Sequence, residues 1–341
     1  MRLRVFSSPR FADHVTPPGH PERIDRAAAL QAVAADLRAA GADVAEPRRA
    51  TDDELLRVHD AEYLTRLRET AGRAVALDPD TFTSPETYEV ARLAAGAAAG
   101  AVDYVLETGR GARALVLARP PGHHAERARA MGFCLFNSVA VAAAHARARG
   151  LTRMAIVDYD VHHGNGTQAA FYGDASVLFV SSHQFPYYPG TGAAGEIGTG
   201  AGRGFTVNLP LQAGGTDADY ERVFAEVAFP VLRQFAPELI LISAGFDAHA
   251  DDPLGGMRLS SGQFVRLTEG ILRVADASSE GRVVALVEGG YDLRALAECT
   301  RAVGHTLGGD APDVPPPAGD DARGGATCAA VRPGLREYWQ L

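Results

Sequence analysis

Short apolar runs that stop abruptly at polar, glycine-rich segments recur along this chain, with stretches of helical length between them. ALVLARPPGHHAE, MAIVDYDVHHGNG, LILISAGFDAHADDPLGG and VVALVEGGYD all show this layout. Asn137 to Arg149, Asp217 to Phe235, Ser260 to Ala277 and Asp292 to Leu307 read as the intervening helices. Strands without polar alternation that take turns with helices imply a parallel sheet covered on both faces. In such open sheets a ligand lies beyond the carboxyl ends of the strands. His123, His124, Asp158, Asp160, His162, Asp247 and Tyr291 all fall at such ends, so one crevice can collect them.

Among these, Asp158, Asp160 and His162 alternate after the apolar run Met154 to Val157. Side chains two apart on a strand share one side, so these three converge while Tyr159, Val161 and His163 face away. Two carboxylates brought together in an apolar setting repel and lose hydration, which is tolerable only with a cation or a proton between them. Carboxylate oxygen with imidazole nitrogen suits zinc or another borderline divalent ion, and a catalytic site takes about three protein ligands and one open position. A DxDxH taken alone reads equally as a strand end with solvated acids.

At 341 residues, with 46% hydrophobic and 22% charged residues, the chain can bury a large core, and one domain over 1–341 is expected. A formal charge of −9 argues against nucleic acid as a direct ligand and suits a cationic substrate. No leader-like segment precedes LRVFSS and no apolar span reaches about 18 residues, so neither secretion nor a membrane span is expected. Cys134, Cys299 and Cys328, with no CxxC pair, read as reduced packing residues of a cytoplasmic protein. Arg66, Arg68 and Glu69 read as a solvated helical face. Thr51 and Glu54 form a capping box, and Ser84-Pro85 opens a helix running to about Glu107 and stopped by Gly109. Ala94 to Ala101 is therefore close-packed helix. Residues 309–328, rich in Pro, Gly and Asp, read as a surface loop before a closing helix from Val331 to Leu341.

RPPGHHA, GFCLFN, DYDVHHGNGTQ, HQFPYYPGTG, SAGFDAHADDPLGG and EGGYD, in this order, resemble the zinc-dependent histone deacetylase family. The likeness is nearest to its class II and bacterial deacetylase-like branch, including the acetylpolyamine amidohydrolases, and runs from GHPERI to the terminal helix. It implies an arginase/deacetylase-like α/β fold, a three-layer αβα sandwich with a central, mostly parallel eight-stranded sheet. It also implies hydrolysis of an acyl amide on a lysine-like amine or a small acetylated amine, with one Zn2+ held by Asp160, His162 and Asp247. His124 would be general base and then acid, with His123 stabilising charge and Asp158 orienting His123. Asn165 would partner His124 where many members carry Asp, leaving His124 less basic. Tyr291 would donate its phenol proton to the developing oxyanion, with Gly289 and Gly290 letting the loop place it.

By the same resemblance, Gly132, Phe133 and Tyr188 would wall the substrate tunnel, Tyr188 standing where most relatives have Phe. Leu254 takes a rim position where polyamine-preferring relatives carry Glu, which favours acyl-lysine. Asp80 aligns loosely with an acidic rim residue and reads better as a solvated loop acid. Arg23 resembles an arginine lining an internal acetate-exit path, with a buried salt bridge as the alternative. Structural K+ is implied around Asp158, Asp160, His162, Ser181 and Ser182, and around Phe171, Asp174 and Val177. His20 and His59 are expected to be structural hydrogen-bonders, His145 packed or surface, and His163 and His183 turned away or one layer out. DAHAD (Asp247 to Asp251) also superficially matches a binuclear manganese hydrolase of the arginase group, to which tandem HH, GGY and GFC are foreign. A catalytically silent acyl-lysine binder would have lost a ligand, a histidine or the tyrosine, and none is lost. No oligomeric state is specified.

Overall fold

A computed structural model of the protein describes residues 3–341. Its strands are β1 (Leu3–Phe6), β2 (Asp43–Ala45), β3 (Ala76–Asp78), β4 (Thr81–Phe82), β5 (Arg113–Val116), β6 (Met154–Asp158), β7 (Val177–Gln184), β8 (Thr206–Leu211), β9 (Leu239–Ala244) and β10 (Val283–Val287). Eight of them form one sheet in the order β2-β1-β5-β10-β9-β6-β7-β8, while β3 and β4 make a separate hairpin. Every pairing in the large sheet is parallel. The α/β sandwich expected from alternation is thus the observed architecture.

Two apolar cores lie on the two faces of this sheet, and the pleat assigns residues to them. Ala155 and Val157 of β6 join one core, while Met154 and Ile156 join the other. Helices Asp25–Ala39, Ser261–Ser278 and Leu293–Gly308 cover the first, and Thr87–Thr108 and Ser138–Ala148 cover the second. The central strands β6, β7, β9 and β10 are buried at every position, which explains their lack of polar alternation. Among the described residues, no helix is long and apolar enough to cross a membrane.

The predicted capping box forms, with Thr51 Oγ1 accepting from Glu54 N–H and the Glu54 carboxylate accepting from Thr51 N–H. Gly109 caps the Ala-rich helix, and a Cβ on Gly96 would come within 2.0 Å of the Arg48 carbonyl, so that helix is closely packed. The region from Asp217 to Phe235 is helical but contains a π-helical turn, Phe224–Ala228, beside Pro230, whose missing N–H breaks the regular ladder. The closing helix departs from expectation. It spans Ala322–Leu335, so the surface loop ends near Asp321 instead of at 328. Gly324 starts it by donating its N–H to Asp219 (2.7 Å), where a Cβ would meet the Asp219 backbone at 2.5 Å. The glycines that read as loop are what let the helix approach its neighbour. All three cysteines are free and buried.

Candidate active site

Four adjacent strands, β5, β10, β9 and β6, deliver the candidate residues from their carboxyl ends. β6 ends at Asp158, so the convergence of Asp158, Asp160 and His162 is made by the following loop, not by strand alternation. Asp158 Oδ1 accepts the Asp160 N–H (3.1 Å) and Asp160 Oδ1 accepts the His162 N–H (2.9 Å), each carboxylate folding the chain two residues ahead. Asp247, beyond β9, accepts the Val161 N–H at 2.8 Å. Ligand atoms of Asp160, His162 and Asp247 all lie within 4.8 Å of one another. His162 Nδ1 stands 3.1 Å from both Asp160 Oδ1 and Asp247 Oδ2. Gly289 bonds Asp160 Oδ2 through its N–H (2.8 Å), and a Cβ there would lie 2.1 Å from Asp247 Oδ2.

Charge in this cluster is poorly balanced. Burial and the neighbouring Asp160 push the Asp247 carboxyl up to about 7. Against the cost of burial, the two carboxylates raise His162 to about 10. Two buried acids and one imidazole aimed at a single point are a donor set that a divalent cation fits.

His123 and His124 stack beside it with ring centroids 4.0 Å apart. His123 Nδ1 bonds Asp158 Oδ2 at 3.0 Å. Although burial opposes its charge, Asp158 and Asp160 hold His123 well above the usual imidazole value. Burial, together with the His123 and His162 rings, holds His124 well below it. The Asn165 amide donates from Nδ2 to Glu126 Oε1 (2.9 Å), which turns its Oδ1 toward His124 Nδ1 at 2.8 Å. Because Oδ1 can only accept, the His124 proton sits on Nδ1 and Nε2 carries the free lone pair.

Tyr291, 8% exposed, meets Phe133 edge-on at 5.8 Å, and the Arg26 guanidinium lies 5.0 Å from its ring centroid. Burial raises its phenol well above 10, so the hydroxyl remains a donor. A cavity of about 80 Å³ joins these groups: His124, His162 and Tyr291 line it with Gly132, Phe133, Tyr188, Leu254 and Asp80. Phe133 is held at φ 68, in the left-handed region, with its N–H on Thr81 Oγ1. Gly132 must lack a Cβ, which would sit 2.4 Å from the His124 ring. Tyr188 packs edge-on against His124 at 5.1 Å. Asp80 lines this tunnel instead of standing apart as a solvated loop acid, and burial raises its carboxyl.

Arg23 is displaced from its expected place: it is exposed and pairs with Asp25. The buried arginine, three residues on, is Arg26, which donates to the Gly290 carbonyl (2.8 Å) and the Glu288 carbonyl (2.5 Å) and pairs with Glu22. Glu22 also takes Arg119 in two bonds of 2.6 Å. His59 bonds the Glu126 carbonyl and the Asn137 N–H, His145 bonds Asp103, and His163 and His183 bond one layer away from the cluster, as expected. His20 packs on Phe133 and bonds the Asp80 carbonyl, tying the tunnel wall to its rim.

Two acids escaped the sequence reading. Glu288 Oε2 accepts the N–H groups of Gly122 (2.6 Å) and His123 (3.2 Å), and Oε1 accepts from Ser243 Oγ. Burial brings it to about 7. Its signal was an acid directly after an apolar strand. Asp252 accepts the Tyr291 N–H (2.6 Å) and Leu254 N–H (2.9 Å), joining the tyrosine to the rim; its DDP context reads only as a turn.

Comparison with known proteins agrees with this arrangement. The family described as "Histone deacetylase domain" matches residues 19–307. The histone deacetylase-like amidohydrolase of Pseudomonas aeruginosa is 44% identical over 266 residues, 76% of this chain and 69% of the relative. Polyamine deacetylase HDAC10 of Homo sapiens is 43% identical over 290 residues, 80% of this chain but 42% of the relative. The crystal structure of the HDA15 HD domain superposes with a TM-score of 0.89 at 37% identity, covering 99% of this chain and 95% of that one.

Proposed function

This chain belongs to the histone deacetylase family, and we propose that residues 1–341 act as one catalytic domain that uses zinc to hydrolyse the acetyl amide of a lysine-like side chain. The observation that carries this reading is the meeting of the Asp160–His162–Asp247 cluster, the His123–His124 pair and Tyr291 on one narrow tunnel. Zinc held by those three ligands polarises a carbonyl and acidifies water. His124, neutral and with Nε2 unoccupied, takes the proton from the attacking water and returns it to the leaving amine, which must be protonated to depart. His123, kept cationic by Asp158, steadies the negative charge that develops on the carbonyl carbon's substituents. Tyr291 donates its hydroxyl hydrogen bond to the carbonyl oxygen as that charge grows. Phe133 and Tyr188 sandwich the aliphatic stem of the substrate and exclude water.

A small acetylated amine is the second reading. Asp80 at the tunnel gives a second ammonium a carboxylate to approach, whereas Leu254 gives it none. A buried Ser182 Oγ without a hydrogen-bond partner among the described residues favours a structural K+ beside Asp158, Asp160, His162 and Ser181. At the other implied K+ position the Asp174 carboxylate is engaged by Arg147 and Ser176. Buried, unpaired cysteines accord with a cytoplasmic setting.

The test is a panel assay on chelator-stripped protein, before and after adding zinc, against an acetyl-lysine peptide, longer acyl-lysines, acetylputrescine and acetylspermidine. Activity restored by zinc and greatest on the acetyl-lysine peptide is expected. Full turnover by metal-free protein would sink the zinc reading, and preference for the acetylated polyamines would move the enzyme to the second.

A further inference from the structure

Tyr188 lines the tunnel, and its neighbour Tyr187 does not. The Tyr187 ring is stacked on the His162 imidazole instead, with centroids 5.5 Å apart and planes 19° from parallel. That contact fixes the direction of the side chain. Its hydroxyl reaches the loop that follows β9 and donates to the Leu254 carbonyl at 2.6 Å. Because Tyr188 and Leu254 both line the tunnel, this bond closes the arc of its circumference between them.

Leu254 is held at both of its backbone groups. Its N–H donates to Asp252 Oδ1 at 2.9 Å, while Asp252 Oδ2 accepts the N–H groups of Tyr291 (2.6 Å) and Asp292 (3.2 Å). The inner anchor of the rim is thus shared with the oxyanion donor, and the outer anchor is Tyr187. A second bond joins the same two loops at their base. Gln184, the last residue of β7, accepts the Gly256 N–H on Oε1 at 2.8 Å, and the Gly256 carbonyl accepts the Gly214 N–H at 2.7 Å. A Cβ on Gly256 would lie 2.7 Å from Gln184 Oε1, so the base is closely packed. Exposure separates the two ties: Gln184 is 8% exposed and Tyr187 38%. Water competes for the outer bond and hardly reaches the inner one, so the mouth can open while the base stays shut.

We propose that Tyr187 is a positioning residue whose hydroxyl latches Leu254 to the wall that carries Tyr188, setting the width of the tunnel mouth and restricting the substrate to a thin, unbranched stem. It acts through Leu254 and touches no substrate. The cavity that the two rims line measures about 80 Å³. A methylene chain passes with the latch closed, whereas a broader stem passes only when Leu254 swings out and the Tyr187 bond breaks. Breaking it leaves the Asp252 bond to Tyr291 in place, so the latch governs admission and not the chemical step. That the stem carries an acetyl amide rests on the deacetylase reading above.

Tyr187→Phe keeps the stack on His162 and loses only the latch. Two peptides read the difference in the full chain loaded with zinc: one carries acetyl-lysine, the other 4-(acetamidomethyl)phenylalanine, whose ring makes a wider stem. In the variant, kcat/KM for the ring-stem peptide relative to the acetyl-lysine peptide should rise about three- to tenfold, the span of one net hydrogen bond. For acetyl-lysine, KM should rise while kcat stays within about twofold. Zinc content and melting temperature should match wild type. A merely structural role would lower both substrates together and leave their ratio where it was. An unchanged ratio therefore overturns the latch, as does a fall in kcat shared by both peptides. If wild type hydrolyses neither peptide, the deacetylase reading falls, and the ratio of their Kd values by calorimetry judges the latch by the same rise. Binding of neither peptide overturns the latch as well.

Discussion

Replacing Tyr291 by Phe removes one oxygen and leaves the contacts that hold the ring. The edge contact with Phe133 at 5.8 Å, the Arg26 guanidinium 5.0 Å from the ring centroid and the backbone bond to Asp252 at 2.6 Å all survive without the hydroxyl. Stability should therefore change by less than about 1 kcal/mol, and the cation ligands, none of which bonds this side chain, should stay loaded. The rate should not survive. A donor aimed at a developing oxyanion contributes about 3 kcal/mol, so kcat should fall roughly 100-fold or more. KM should stay within about twofold, because the charge that the hydroxyl meets is present only in the transition state. Steady-state deacetylation, zinc content and thermal melting measured on one preparation separate these effects. A kcat near that of wild type with full zinc content would show that another group polarises the carbonyl.

Gly289→Ala sets a methyl group 2.1 Å from Asp247 Oδ2 and 2.6 Å from Asp160 Oδ2; zinc affinity, read by competition with a chelating dye, should drop about 10–100-fold while the circular dichroism spectrum is kept. Leu254→Glu supplies a carboxylate at the tunnel and should raise kcat/KM for acetylspermidine relative to an acetyl-lysine peptide by about tenfold, about 1.4 kcal/mol; an unchanged ratio would assign the choice to Asp80 or Tyr188. Against the effect of burial, Arg48 and the Thr51 N–H hold Glu54 down from the usual 4.5 to about 2. A depressed carboxyl stabilises the fold fully above its unfolded value and loses that contribution as pH falls toward 2. Glu54→Gln keeps the cap but not the charge, so its melting temperature should lie below that of wild type at pH 6, with the gap narrowing below about pH 4.5 and closing near pH 2. A gap independent of pH would mean that the Arg48 pair is not its source.

The elements that carry chemistry were legible because each combines a buried strand with residues no strand end needs for packing. Asp160, His162, Asp247 and Tyr291 follow apolar runs whose only covalent purpose is to stop, and the sheet brings those stops together. Glu288 obeys the same rule and was passed over because GGY beside it absorbed the meaning of the segment. Arg26 was missed in favour of Arg23 because motif similarity fixes a segment but not where its helix begins: Arg23 precedes the helix and pairs in solvent with Asp25, while Arg26 lies in the first turn and is buried against Glu22. Asp80 belongs to a loop whose position is set by the β3–β4 hairpin and the His20 bond, neither of which leaves a local pattern. The start of the closing helix was hidden by Gly324 and Gly325, whose low helix propensity says loop, while the close contact with the Asp219 backbone requires Gly324.

The parallel sheet has a second end, where among the described residues no group of side chains that could hold a metal ion lies. The turns that enter β5, β6, β9 and β10 lie at Gly109 to Ala112, Arg149 to Arg153, Ala236 to Glu238 and Ser279 to Arg282. They are separated from the tunnel by the length of the strands. Two of their residues, Ala236 at φ 51 and Glu280 at φ 54, sit in the left-handed region that disfavours a side chain by about 1–2 kcal/mol. Durability and turnover thus occupy opposite poles of the molecule: glycine at either position can relieve strain, and new chain ends opened in these turns can re-thread the connectivity, while the chemistry at the other pole keeps its geometry.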